Sequence, residues 1–307
     1  MNFYETLKLC NSFRVNAAKI NNIKNWKPCN IAIISTFLKS NNIKHDDFKM
    51  LVSRNTYLEN IGFYEALWDI PRTHRQTGEC AACSPLTLFD PCGGLDQATE
   101  TINSYLKNNI NDYKLLGSLT NVVGELHDNV CSHGKTFGFS MAQVREDAAE
   151  FCIADLGGGF LKVLNKAGVP GINSDSDAIK WCLRRNNTST SYEPQEDPWV
   201  QSLPSDFSGV NPMGRYASYS SGDNHMGVGL AELFDLHSEY DGSVLNIASG
   251  ETAVEFRNGR ETNTRRGIDW KGVAIDLVLP LSLHLPEDQK QHFMLSDDIS
   301  EILNLIN

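Results

Sequence analysis

Apolar residues recur at three- and four-residue steps between positions 115 and 130, which is the spacing of one face of an α-helix. This stripe predicts a helix of about five turns that buries the apolar face and ends near Gly134. Residues 174–185 and 228–240 have similar spacing and are also predicted to be helices. The stripe of the long helix consists of Leu115, Leu116, Leu119, Val122, Val123, Leu126 and Val130.

Strand patterns follow the long helix. Residues 136–144 alternate loosely, and residues 150–155 form an apolar run that leads into Gly157, Gly158 and Gly159, so the two segments are predicted to form a hairpin. Nearer the N terminus, residues 30–35 are rich in β-branched residues and are also predicted to be a strand. Further strands are predicted at 243–248, 253–257 and 273–279.

Irregular segments divide the chain. Residues 71–94 are rich in Cys, Pro and Gly, which favours a boundary between an N-terminal domain, residues 1–90, and a main domain, residues 95–283. The remaining residues, 284–307, are predicted to be a tail that ends in a short helix. Within the main domain, residues 186–226 are long, polar and rich in Ser, Asn, Pro and Gly, as in a functional lid or a disordered loop.

Composition narrows the class of protein. The 307 residues are 41% hydrophobic and 21% charged, enough for a sizeable core. A formal net charge of -11 argues against a broad electrostatic contact with nucleic acid or anionic lipid. No stretch has the length of apolar residues that a membrane helix needs, and the eight cysteines lack the density of a disulfide scaffold. We therefore expect a cytoplasmic protein without a membrane partner.

Three segments carry candidate chemistry, and the first is the long helix. Glu125 and Asn129 are four residues apart and therefore share one helix face. An Asn amide oxygen can bind Mg²⁺, and a carboxylate one turn away can orient a water molecule that attacks a γ-phosphate. The alternative is that Glu125, His127 and Asp128 form a solvated helix face.

The second segment follows the predicted buried strand. Asp155, at the end of this strand, can accept a hydrogen bond from an exocyclic amine such as that of adenine. Gly157 to Gly159 allow the backbone to approach a ligand closely. The alternative is a tight turn with no ligand.

The third segment is Gly227, Val228, Gly229 and Leu230, ahead of a predicted helix. Free backbone N–H groups and a helix N-terminus suit phosphate oxygens, although a flexible hinge is the simpler explanation of this segment alone. The three segments occur in a fixed order, with the lid-like loop before the third. That combination is much less expected by chance than any single segment.

In this order the segments resemble the GHKL ATPase domain of sensor histidine kinases, anti-sigma serine kinases and DNA gyrase, over residues 95–283. Residues 125–134 resemble the N box of that family, residues 155–159 its first glycine box, and Gly227 to Gly229 its second. The closing His133-Gly134 resembles the small members related to anti-sigma kinases. The resemblance implies a two-layer α/β sandwich of the Bergerat type, with a mixed sheet covered by helices on one face. We expect a small N-terminal α+β domain beside it.

The resemblance also implies roles for individual residues. Asn129 would bind Mg²⁺, Asp155 would hold adenine, and Glu125 would activate water. Where many members of the family have Gly-Thr in the last strand, this chain has Gly272-Val273, so a hydroxyl near the phosphates is missing. The residues that would line the nucleotide are Gly157, Gly159, Gly227, Val228, Gly229 and Leu230.

Two functions of different class remain open. The chain is either a Mg²⁺-dependent ATPase or serine kinase that acts on a protein partner, encoded nearby, or a regulator that holds ATP without turnover. A homodimer is left open. Separately, Cys80, Cys83, Cys92 and His74 form a weak zinc pattern, for which a loop with reduced thiols is the favoured alternative.

Overall fold

A five-stranded sheet forms the centre of the protein in a computed structural model that describes residues 1–13, 17–53, 55–72, 83–185 and 229–281. The strand order is β1-β2-β3-β5-β4, and every neighbouring pair is antiparallel. The prediction of a mixed sheet is therefore wrong for these strands. The strands are β1 (Thr87–Phe89), β2 (Gly138–Val144), β3 (Ala148–Asp155), β4 (Val244–Arg257) and β5 (Arg260–Pro280).

Helices flank this sheet in both halves of the described chain. None of them, within the described ranges, has both the length and the apolar character needed to cross a bilayer. The predicted lid at 186–226 and the predicted terminal helix lie outside the described residues. A 3-10 helix spans Ala17–Asn22, and the α-helices are α1 (Phe3–Asn11), α2 (Pro28–Ser40), α3 (His45–Leu51), α4 (Thr56–Asn60), α5 (Phe63–Trp68), α6 (Leu95–Asn109), α7 (Tyr113–Asn129), α8 (Phe160–Lys166), α9 (Asp175–Cys182) and α10 (Gly229–Glu239).

Helices α6, α7 and α10 pack against one face of the sheet. Phe151 and Ile153 of β3 point to this face and join the same apolar cluster as the stripe of α7. Helix α7 begins where the Asp112 carboxylate accepts hydrogen bonds from the N–H groups of Lys114 and Leu115. It continues as a π-helical turn to Gly134, so the predicted helix and its end are confirmed. The β2–β3 hairpin and the helices at α9 and α10 are confirmed as well.

Helix α2 covers the opposite face. Cys152 and Ala154, which alternate with the residues that face α7, pack with the N-terminal helices. The hydroxyl of Thr36 donates a hydrogen bond to the carbonyl oxygen of Ala154, 3.0 Å away, and so joins α2 to the end of β3. The expected α/β architecture, a sheet packed against helices, is confirmed. The expectation that helices cover only one face is wrong, because α2 buries the second face.

The prediction of a strand at residues 30–35 is also wrong, because these residues lie inside α2. Pro28 starts the helix, and the side chain of Asn30 accepts a hydrogen bond from the N–H of Lys27. The run is buried on nearly all sides, so it has no polar face that would reveal helical spacing, and burial outweighs the weak preference of Ile for strands. The described N-terminal segment has one strand of the sheet, β1, which pairs with β2.

Strands β4 and β5 form a long hairpin that was predicted only in pieces. The segments predicted at 243–248 and 253–257 are one strand with an irregular register around Gly250. The segment predicted at 273–279 is the second half of β5, whose first half was missed. Asn258 and Gly259 form the connecting turn, with φ of 50° and 70°. Asn-Gly is a strong hairpin signal, and it could have revealed the missing half of β5.

Candidate functional site

Asp155 ends β3 and is buried, with 4% of its surface exposed. Its Oδ1 atom accepts a hydrogen bond from the N–H of Gly157 at 2.7 Å, and the backbone of Val273 on β5 also bonds to the carboxyl group. Burial raises the pKa of Asp155 to about 7, and the two backbone hydrogen bonds oppose this rise. The carboxylate is therefore fixed in position by groups that favour its charged form.

Glycines from three segments surround this carboxyl group. A Cβ atom built on Gly157 would lie 2.7 Å from the carbonyl oxygen of Gly134, and one on Gly272 would lie 2.5 Å from Asp155 Oδ1. One on Gly134 would lie 3.7 Å from the same Oδ1 atom. The end of the π-helical turn, the turn after β3 and strand β5 therefore meet at Asp155 with little room for side chains.

Gly159 directs the chain from this turn into α8. Its φ of 68° favours glycine, and a Cβ atom there would lie 2.7 Å from the carbonyl oxygen of Lys271. The N–H of Phe160 donates a hydrogen bond to the Ser249 hydroxyl at 3.0 Å. The turn after Asp155 is thus held between α8 and the β4–β5 hairpin.

Glu125 contacts the start of α10. A Cβ atom built on Gly229 would lie 2.7 Å from Glu125 Cβ and 3.1 Å from its Oε2 atom. Asn129, half-buried, is the last residue of α7, and the half-buried Leu230 packs against the cluster formed with α7. The structure therefore brings Glu125 to Gly229 and Asp155 to Gly157, and α7 with its π-helical turn contacts both pairs. Gly227 and Val228 lie outside the described residues.

His127, two residues after Glu125, lies on the opposite side of α7, and that side is not a solvated face. The residue is completely buried, with Nδ1 2.8 Å from the Thr99 hydroxyl and Nε2 2.7 Å from the Ser140 hydroxyl. Burial lowers the pKa of His127 to about 3, so the ring stays neutral at ordinary pH. His127 therefore joins α7 to α6 and β2, and the solvated alternative is wrong for this residue.

The zinc pattern lies partly outside the described residues, because Cys80 and His74 are not described. Cys83 is buried and Cys92 is exposed, and both are free thiols. Within the described ranges, no three His, Cys, Asp or Glu residues are grouped in a way that could hold a metal ion. The zinc hypothesis has no support from the two cysteines that are described.

Arg185, just before the predicted lid, forms an ion pair within the chain. Arg185 binds Asp235 of α10, with Nε 2.8 Å from Oδ2. This ion pair joins the last described residue before the predicted lid to α10, the helix that follows it.

No protein-family model matches the chain, and no curated protein matches it either. The geometry around Asp155 and Glu125 therefore carries the interpretation of the site.

Proposed function

We propose that the chain binds ATP with Mg²⁺ in the manner of the GHKL domain that residues 95–283 resemble, and that it signals to a protein partner. The observation that carries this proposal is the buried Asp155 carboxyl group, which two backbone hydrogen bonds fix and three glycines surround. A buried carboxyl group with no ion pair among the described residues is costly, and such groups are concentrated at functional sites.

Asp155 would recognise the adenine base. In its ionised form the carboxylate accepts a hydrogen bond from an exocyclic amine, and its fixed position sets the direction of that bond. Because Gly134 and Gly157 have no side chains, the two turns pack closely around the carboxyl group and hold it in one orientation toward a bound base. These features support a purine over a ligand that lacks a donor.

The phosphates would lie toward α7 and α10. The first residues of α10, Gly229 and Leu230, lie at a helix N-terminus, which favours negative charge. The half-buried Asn129 has an amide oxygen suited to Mg²⁺. When bound, Mg²⁺ supplies positive charge that neutralises the phosphate oxygens. The N-terminus of α10 thus suits the phosphates, and the Asn129 amide oxygen suits Mg²⁺.

Glu125 would orient and deprotonate the attacking water. Its side chain lies against Gly229, which places a carboxylate beside the helix end that would face the phosphates. The phosphate would go to water or to a serine of the partner. The second candidate, a regulator that holds ATP without turnover, shares the Asp155 site and differs only in the role of Glu125.

Binding is tested by calorimetry with ATP and Mg²⁺ on the Asp155→Asn variant. We expect at least about a tenfold loss of affinity, the effect of losing a hydrogen bond to a charged group. Asp147→Asn is the matched control, because Asp147 precedes β3 at its other end and its side chain is 81% exposed. Equal ATP affinity in the folded Asp155→Asn variant and the wild type would overturn the proposal.

A further inference from the structure

The first half of β5 has one open edge. Residues 260–266 pair with β4 on one side, whereas the pairing of β5 with β3 extends only to Ala274 and Ala154. On the β3 side, the described chain offers no strand to this half of β5. In a strand that is paired on one side only, about half of the backbone N–H and C=O groups point to the open side, where they can bond to a further strand.

Asn11, the last residue of α1, bonds to β5 as a neighbouring strand would. Its side-chain amide, in the orientation that satisfies both atoms, donates to the carbonyl oxygen of Asp269 at 3.0 Å and accepts from the N–H of Asp269 at 2.8 Å. Within the described ranges, the backbone of residues 260–267 makes no such bond outside the β4–β5 hairpin. All residues of this segment except Thr264 are exposed, so the segment is accessible to a partner.

A groove lies beside this edge. It has a volume of about 600 Å³ and is lined by residues of α1, by Lys19 of the 3-10 helix and by Gly267 of β5. Lys8 of α1 also lines the groove, and both lysines are exposed. Glu5 is in the same wall, but its carboxylate accepts a hydrogen bond from the N–H of Asn2 at 2.9 Å. Two cations and one bonded carboxylate give the described wall a net positive charge.

The exposed strand adds two arginines to this charge. Arg265 and Arg266 are neighbours on β5, so one lies on each face of the strand. Arg265 lies over the ring of Tyr4, 4.5 Å from its centroid, and Lys8 is 4.9 Å from the same centroid, so the strand and the groove share one basic surface. Glu261 is already paired with a lysine of α9 at 2.8 Å. The edge is therefore locally basic in a chain whose formal net charge is -11.

We propose that the open edge of β5, residues 260–267, binds an acidic, extended segment of a partner protein, which adds a strand to the sheet. The backbone of this segment bonds to the open N–H and C=O groups, and its carboxylates meet Lys8, Lys19 and Arg265. The edge spans roughly 26 Å, the length of a strand of about eight residues. The proposal is independent of ATP binding, because this surface contains no residue of the proposed nucleotide site.

The charges decide which occupant fits. Two copies of the same edge would bring their arginines close together, and like charges opposite each other destabilise a strand pair. A nucleic acid would satisfy the cations but has no peptide backbone for the open edge, and the net charge of -11 disfavours a long polyanion. An acidic peptide satisfies both the backbone groups and the cations.

The test uses the full chain without nucleotide and a labelled probe peptide of about eight residues that alternates Glu and Val. Fluorescence anisotropy at low salt should give a Kd below about 1 mM, and added salt should weaken binding. Arg265→Glu and Lys19→Glu, both at exposed positions, should each weaken binding at least about threefold. Lys107→Glu, at an exposed position of α6, makes the same change in net charge and should bind like the wild type.

The peptide backbone separates strand addition from simple charge attraction. Two further probes carry N-methyl groups, one on its Glu residues and the other on its Val residues. Alternate N–H groups of an added strand point to the neighbouring strand, so at least one of the two methylated probes should bind at least about tenfold more weakly. A probe with Lys in place of Glu should not bind, because its charges are repelled.

Several results would overturn the proposal. They are a Kd above about 1 mM for the acidic probe, equal binding by Arg265→Glu, Lys19→Glu and Lys107→Glu, and equal binding of the methylated and unmethylated probes. Tighter binding of single-stranded DNA or of anionic vesicles than of the acidic probe would assign the basic surface to a nucleic acid or a membrane instead. A dimer of the wild type that Arg265→Glu dissociates would assign the edge to a second copy of the chain.

Discussion

Gly157 lies so close to Gly134 that a Cβ atom on Gly157 would be 2.7 Å from the carbonyl oxygen of Gly134. This contact joins the turn after β3 to the π-helical turn that follows α7. Asp155 and α7 therefore keep a fixed relative position, and an added methyl group at Gly157 would force the two turns apart.

The Gly157→Ala variant should be less stable than the wild type by about 1–3 kcal/mol, because the clash is with backbone atoms. Its ATP affinity should also fall, since Asp155 moves with the turn. Gly117→Ala in α7 is the matched control, because a Cβ atom there meets nothing within 4 Å. That control should be more stable by up to about 1 kcal/mol. Denaturant unfolding of both variants checks the prediction, and equal stability of Gly157→Ala and the wild type would contradict it.

Glu125→Ala should reduce the rate of phosphate release at least about a hundredfold while ATP affinity is retained, because a general base contributes to the chemical step. Single-turnover assays with labelled ATP measure both quantities. Glu100→Ala, an exposed residue of α6, is the control and should keep the wild-type rate. An unchanged rate in Glu125→Ala would exclude the role of base. If the wild type itself releases no phosphate, the non-hydrolysing function is favoured.

His127→Leu should lower the free energy of unfolding by about 1–3 kcal/mol, because the hydroxyl groups of Thr99 and Ser140 lose their bonds to the buried ring. Stability should also depend less on pH in this variant. The pKa of folded His127 is about 3, below the ordinary value of 6.5, so its contribution is present above pH 6.5 and is lost as the pH falls. Equal stability of variant and wild type from pH 5 to pH 8 would contradict this prediction.

Asp155 should give the opposite pH dependence. Its pKa rises from 3.8 to about 7 on folding, so the folded state binds the proton more tightly. The associated stability is present below pH 3.8 and is lost as the pH rises through about 7. Asp155→Asn should therefore gain stability relative to the wild type between pH 5 and pH 8, by at most roughly 3 kcal/mol. Denaturant unfolding of the variant and the wild type at pH 5 and at pH 8 measures this gain. If the two proteins differ in stability by the same amount at both pH values, the pKa of Asp155 is not raised by folding.

The sequence predicts α7 well because its apolar stripe has the period of a helix with one buried face, and that helix is confirmed. The run of β3 is confirmed as well, although all its residues are buried and it has no alternation; its short length and the glycines that follow it identify the strand. Helix α2 fails because it is buried on nearly all sides, so its apolar run has no period to recognise. The cover on the second face of the sheet could not be predicted for the same reason.

At the candidate site, local sequence identifies Asp155 and Gly157 because they lie in one turn. The contacts of Gly134 and Gly272 with this turn could not be predicted, because they arise from residues distant along the chain that folding brings together. From the sequence alone, His127 is a polar residue and can be interpreted as part of a solvated face. Its partners Thr99 and Ser140 are distant along the chain, so the sequence does not reveal that the ring is buried and bonded to them.

The hydrogen bond from Thr36 to Ala154 has a consequence for how the protein can be divided. A fragment that starts at residue 95 would lose α2 and expose Phe139, Met141 and Cys152, which α2 and its neighbours now bury. Such a fragment would expose an aggregation-prone apolar surface, and one face of the strand that carries Asp155 would have no helix packed against it. The N-terminal helices thus share one hydrophobic core with the sheet. They therefore cannot be exchanged like a separate sensor domain attached by a linker.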